Sequence, residues 1–239
     1  FSRMSTSEIY NYYEHQLNHT FIDVESDVKI EDFDITDSYL NKINEGNDLG
    51  ASISSALPRL NSDMGGIRDR NVVIVSASTG VGKTSFVFGC MILPLIKQGI
   101  KTAIISNEQG LDDFRAVMLS SVLFTEFSYY KITRRRIMAG KFNEEEWDML
   151  KKAKDFINQK YTPYLKFVKM FEYNVVKTQK VIKKLAREGF SKFVYDVFKS
   201  VDSSSSDSVG MMVELSKAFF NLADKLDISV VITQQTALY

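Results

Sequence analysis

Asn71-Val72-Val73-Ile74-Val75-Ser76 runs straight into Ala77-Ser78-Thr79-Gly80-Val81-Gly82-Lys83-Thr84, so a β-rich segment breaks into small residues and then into a helical pattern starting at Gly82. That order of strand, loop and helix is what a triphosphate-binding loop requires. Successive backbone N–H groups must point at phosphate oxygens, small residues must let the chain come close, and a helix N-terminus adds its dipole. Gly80 and Gly82 permit the tight path, Lys83 can reach the β and γ phosphates, and the Thr84 hydroxyl can ligate Mg²⁺. Residues Ala77, Ser78, Thr79, Gly80, Val81, Gly82, Lys83, Thr84 and Ser85 therefore form the candidate ATP-binding stretch. Ala77 stands where the pattern G-x-x-x-x-G-K-[ST] has its first glycine.

Outward from this loop, short apolar runs alternate with longer helical stretches. Asn71 to Ser76, Thr102 to Ser106, Lys192 to Asp196 and Ile228 to Thr233 are rich in Val and Ile with little polar alternation. Such runs predict buried parallel strands. Helices are expected at about 83–97, 111–128, 144–159, 175–188 and 209–226, the third capped by Asn143-x-x-Glu146. Tyr164 to Met170 is a candidate extra strand, and Ser203 to Ser208 a low-complexity loop. The fold class is α/β, a mostly parallel sheet flanked by helices. Ahead of it, Ser5-x-x-Glu8 opens an amphipathic helix over 5–22 with Ile9, Tyr13, Leu17 and Phe21 at i+4 steps. An acidic, turn-rich stretch from Asp23 to Asn47 follows it. The expected division is a linker helix and connecting segment over 1–50 and an ATPase domain over 51–239.

Composition narrows the class of protein more than the activity. With 239 residues and 44% hydrophobic content, the chain can bury one substantial core. Thirty basic residues balance thirty acidic ones, so any polyanion must be met locally. Cys90 is the single cysteine and lies in an apolar stretch, which reads as a core residue in a reducing compartment. No apolar run reaches the roughly 20 residues of a membrane span, and the start lacks a signal-peptide pattern. The expected location is the cytoplasm, that of a bacterial cell or, for a phage-encoded protein, of its host, with no membrane partner.

Hydrolysis needs a second carboxylate for the metal and a base for the attacking water. Phe193-Val194-Tyr195-Asp196 is an apolar strand that reaches an aspartate, so Asp196 joins Thr84 as a candidate Mg²⁺ residue. Glu108 follows the strand Ile104-Ile105-Ser106 at the sheet edge where α/β folds place ligands, and is the candidate base. Gln234-Gln235 after Val230-Val231-Ile232-Thr233 is a candidate γ-phosphate sensor. Lys131 to Arg136 holds four basic residues just after two tyrosines. Two readings are open for it: phosphate and base binding, or a solvated helix face or subunit contact. His15 and His19 have an i+4 spacing but no third ligand in reach of the pattern.

Together these residues resemble the DnaB-like replicative helicases, with a RecA-like P-loop core, over Leu57 to the end. The resemblance rests on Gly65-Gly66-Ile67, Ala77 to Thr84, Ser106-Asn107-Glu108, Arg136 to Phe142 with Glu145-Glu146-Trp147-Asp148-Met149-Leu150, Asp196, Leu215-Ser216-Lys217-Ala218 and Gln235. It makes Ala77 ordinary. It implies an ATP- and Mg²⁺-dependent motor with Lys83, Glu108 and Gln235 as its catalytic residues, a hexameric ring in which the 5–22 helix docks on a neighbour, and single-stranded DNA in a central channel. Primase or a helicase loader would be further partners. Phe198 to Ser208, with Lys199, would be a DNA-gripping loop or a plain linker. The resemblance also predicts that the collar domain and the arginine finger lie outside these 239 residues. Rival readings are a RecA-like recombination or loading switch and a non-hydrolysing scaffold.

Overall fold

The computed structural model describes residues 12–13, 33–45, 50–78, 80–172, 174–198 and 206–235. It divides into two units, Phe1–Gly46 and Asn47–Tyr239. In the first, α1 (Asp37–Asn44) is capped by Thr36, whose hydroxyl accepts the Tyr39 N–H at 3.2 Å. The stretch read as turns up to Asn47 thus contains a helix, because Thr36-Asp37 supplies both an N-cap and an acidic first turn. Of the helix expected over 5–22, Tyr12 and Tyr13 are described and helical, and the rest, with His15 and His19, lies outside the described residues.

The second unit is built on a five-stranded, all-parallel sheet in the order β1-β5-β4-β2-β3. Its strands are β1 (Val72–Ala77), β2 (Thr102–Ser106), β3 (Leu165–Lys169), β4 (Lys192–Phe198) and β5 (Ser229–Gln235). All four expected strands form, and the apolar run at 164–170 becomes the edge strand β3. Side chains alternate between two cores. Ile104, Val194 and Val231 face one, and Ala103, Ile105, Phe193, Tyr195, Val230 and Ile232 face the other. Burial on both faces is why β2, β4 and β5 carry no polar alternation. Each large side chain so buried contributes roughly 1.5–3 kcal/mol. The run at 71–76, expected as a buried strand, is corrected: β1 lies at the sheet edge and is only half-buried, with Ile74 exposed.

The first core is covered by α3 (Lys83–Val87), a π-helical turn Phe88–Ile92, α4 (Leu93–Lys97), α5 (Leu111–Phe127) and α7 (Glu144–Lys160). The second is covered by α8 (Val175–Arg187) and α9 (Ser206–Lys225). The stretch 83–97, read as one regular helix, widens in its middle because Pro94 has no N–H to give the preceding turn. The Cys90 carbonyl bonds instead to the Ser54 N–H at 2.8 Å. Phe88, Met91 and Ile92 take the inward positions of this turn, so Cys90 is half-buried rather than a core residue, and partial burial still pushes its thiol pKa up. Helix α9 begins at Ser206, three residues inside the expected serine loop, while 199–205, including Lys199, lie outside the described residues.

Gly65-Gly66-Ile67 has a structural use. Gly65 ends α2 (Pro58–Met64) in the left-handed region, and Ile67 pairs with Ala51 in an antiparallel bridge. Gly66 has φ +75°, and a Cβ there would run into the Gly50 carbonyl. Only glycine meets both demands.

Between α5 and α7, α6 (Arg134–Ala139) belongs to a helical insert locked by one partly buried pair. Arg136 donates to Glu146 Oε1 at 2.9 Å and Oε2 at 2.5 Å, and to the carbonyls of Gly140 and Lys141. Glu146 also closes the Asn143 capping box at the start of α7. The Arg136 hydrogen bond, then the Asn143 N–H, hold the Glu146 carboxyl below the ordinary carboxylate range. A depressed carboxylate contributes stability that is present above its unfolded pKa and lost as pH falls through the folded one. Glu146→Gln should therefore lower Tm by several degrees at pH 7. The difference from wild type should shrink below about pH 4. A difference in Tm that stays constant across that range would show that Glu146 acts by shape alone.

Candidate nucleotide site

In a parallel sheet all carboxyl ends point the same way, so the ends of β1, β5, β4 and β2 line one edge. The register pairs Ala77 with Gln235 and Ser106 with Asp196 across neighbouring strands. Residues from five separate parts of the chain meet around one cleft of about 210 Å³, lined by Gly80, Gly82, Lys83, Thr84, Ser85, Glu108, Gln109, Arg134, Val197 and Gln235.

Ala77 closes β1, and its carbonyl accepts from Lys83 Nζ at 2.8 Å, with the Ser78 carbonyl at 3.4 Å. Gly82 caps α3 at φ +91° and Gly80 has φ +80°. A Cβ on either would meet nothing within 4 Å, so what demands glycine here is backbone conformation and not space. Val81 is exposed. Thr79 lies outside the described residues.

Asp196 is 2% exposed. Its Oδ1 accepts from Thr233 Oγ1 at 2.8 Å and Thr84 Oγ1 at 3.3 Å, while its Oδ2 is buried without a hydrogen-bond partner. Burial pushes this carboxyl pKa up, against the two hydroxyl bonds that lower it. The strand does not stop at Asp196 but continues to Phe198, and its pairing with β5 slips between Tyr195 and Phe198.

The Glu108 turn is braced from three sides. Ser106 Oγ accepts the Gln109 N–H and donates to the Gln109 carbonyl. Asn107 clamps β4 through both its amide atoms on the Val197 backbone, each at 3.0 Å. Lys169, from β3, donates to the carbonyls of Glu108 and Gln109 at 3.1 and 3.2 Å. Glu108 itself is exposed at the cleft. Of the two glutamines, Gln234 accepts from Ser76 Oγ at 3.2 Å whereas Gln235 lines the cleft.

A family model of the DnaB-like helicase C-terminal domain matches residues 52–237. This chain belongs to that family. Two solved structures share its fold. One is a DnaB-like replicative helicase whose interactions with primase were studied, at TM-score 0.66 and 18% identity, covering 91% of this chain and 52% of that one. The other is the ATPase domain of a second protein, at TM-score 0.62 and 17% identity, covering 87% of this chain and 72% of that one. The chain thus spans about half the length of the first helicase. No curated protein sequence matches it.

For a DnaB-like domain, several cleft contacts were not anticipated from sequence. Gln109 donates to Thr84 Oγ1 at 3.1 Å, and Thr233 holds Asp196. Both sit beside residues already singled out, so their position next to Glu108 and Gln234 was an available signal. Lys169 had none, and Arg134 was marked only as one of the four basic residues from Lys131 to Arg136. These basic residues point in different directions: Lys131 pairs with Glu145 at 2.9 Å, Arg136 is locked in the insert, Arg135 is exposed, and Arg134 turns to the cleft. Successive residues on a helix point about 100° apart, so neighbouring arginines cannot share one surface. Among the described residues no helix is long and apolar enough to cross a membrane.

Proposed function

We propose that this DnaB-like domain is the ATP-driven motor of a ring-forming replicative DNA helicase, which moves on single-stranded DNA and unwinds duplex. The observation that carries the reading is the meeting of Lys83, Thr84, Glu108, Asp196 and Gln235 at one sheet edge around one cleft. The orphaned, buried Oδ2 of Asp196 beside the Thr84 hydroxyl fits a Mg²⁺ held with its water shell. When bound, that ion would neutralise charge on the β and γ phosphates.

Lys83 exchanges the Ala77 and Ser78 carbonyls for phosphate oxygens, which gain more from an ammonium than neutral acceptors do. Glu108 orients the attacking water and takes its proton as the new P–O bond forms and the β–γ bridge oxygen leaves with ADP. Gln235 contacts the γ-phosphate and reports its loss through β5. The segment 1–50 acts as the linker that docks on the next protomer of a hexamer, and 51–239 is the ATPase domain. A primase or loader partner is inferred from the solved helicase studied with primase.

The test is strand displacement on forked DNA by the complete polypeptide. ATP-dependent unwinding that disappears in Lys83→Ala supports the motor. ATP hydrolysis stimulated by DNA without any unwinding would sink it in favour of a recombination or loading switch.

A further inference from the structure

Arg134 stands apart from the arginines beside it. Thr133 caps the short α6, its hydroxyl accepting the Arg136 N–H at 3.2 Å, and this sets Arg134 at the first helical position. From there it lines the cleft with Gly80, Gly82, Lys83, Thr84 and Glu108. Its ion pair with Asp113, Nη2 to Oδ1 at 3.3 Å, is long, and the two side chains are 37% and 36% exposed. Pairs of that exposure contribute little and are readily exchanged. A guanidinium carries five N–H donors, and phosphate is a better partner for their fork than a half-solvated carboxylate.

Asp113 does not depend on Arg134. Its Oδ2 accepts the Gly110 N–H at 3.2 Å and closes the capping box of α5, so it stays seated if the arginine leaves. The cleft otherwise places Glu108 near the buried Asp196, and the charge of Lys83 alone does not balance a triphosphate.

Resting on the reading of this cleft as the nucleotide site, we propose that Arg134 is a phosphate-binding residue supplied in cis, which exchanges Asp113 for the terminal phosphate of a bound nucleoside triphosphate and so selects triphosphate over diphosphate. Arg136, two residues on, fastens α6 to α7, so the exchange also ties the insert to the nucleotide state.

The test is equilibrium binding of a fluorescent non-hydrolysable ATP analogue and of fluorescent ADP to the complete polypeptide with Mg²⁺, with the melting curve of each nucleotide-free variant alongside. Arg134→Ala should weaken the triphosphate about tenfold or more and ADP less than about twofold, with Arg134→Lys between, as expected for one charge-assisted phosphate contact. Asp113→Asn keeps the capping oxygen and removes the competing charge, so it should tighten the triphosphate but not ADP. Equal losses of both nucleotides in Arg134→Ala, or no change in either variant, would overturn the inference. Lys83→Ala separates the two levels: if it too binds both nucleotides like wild type, the cleft is not the nucleotide site and the reading beneath the inference fails. If Lys83→Ala loses binding while Arg134 and Asp113 variants are silent, the Arg134 inference alone fails.

Discussion

Glu108→Gln is expected to lower the ATP turnover rate by about 10²- to 10³-fold while changing ATP affinity less than about twofold. The amide keeps the size and the hydrogen-bonding oxygen of the side chain but cannot accept the proton of the attacking water. The surrounding turn should not move, because Lys169, Asn107 and Ser106 hold it through backbone and side-chain contacts that do not involve the Glu108 carboxylate. Steady-state hydrolysis and binding of a non-hydrolysable analogue, measured on the same preparation, check both halves. Turnover within about fivefold of wild type would remove Glu108 as the base and favour a scaffold that binds without hydrolysing.

Asp196→Asn is expected to abolish Mg²⁺-dependent hydrolysis, by about 10³-fold or more, and yet to leave the metal-free, nucleotide-free protein at least as stable as wild type. The two effects have one origin. Burial raises the Asp196 carboxyl above its unfolded pKa, so the folded protein disfavours its ionised form. For a raised carboxyl the stability is greatest below the unfolded pKa and declines as pH climbs through the folded one, so the penalty grows as pH rises across that window. Asparagine keeps an oxygen for the Thr233 and Thr84 hydroxyls and removes the buried charge. Thermal melts without metal, beside hydrolysis assays over a Mg²⁺ series, check it. A variant that melts well below wild type, or that still hydrolyses ATP within about tenfold, would contradict this account of the site.

The two substitutions also separate what each residue does. Both are inactive by expectation, but Glu108→Gln should still bind nucleotide with Mg²⁺, whereas Asp196→Asn should lose the metal dependence of binding.

Which features were legible in the chain follows from the range of the interactions that set them. The loop Ala77 to Thr84 announces itself because its glycines, lysine and threonine are contiguous and answer to local backbone geometry, as the positive φ of Gly80 and Gly82 bears out. The strands at 102–106, 192–196 and 228–233 were legible because a strand buried on both faces leaves no room for polar alternation, while the edge strand at 71–76 showed through its run of Val and Ile although it is only half-buried. The Asn143–Glu146 box spans a single turn and was equally readable. The widened turn at Phe88–Ile92 was less so: Pro94 was visible, but where its missing hydrogen bond would be made good depended on Ser54.

By itself, then, the sequence determined the glycine-rich loop after β1 and the parallel α/β layering, because each is written in neighbours or in a short period. Tertiary structure alone decided the strand order, and with it which strand ends share a cleft. It decided that Gln235 and not Gln234 lines that cleft, since pairing with β1 gives Gln234 to Ser76. It brought Lys169 beneath the Glu108 turn from 61 residues away and turned Arg134 toward the cleft of Gly80, Gly82 and Lys83 while Arg136 faced the insert. Those choices are made by packing across the sheet and between helices, where partners are distant in sequence and no local pattern marks them.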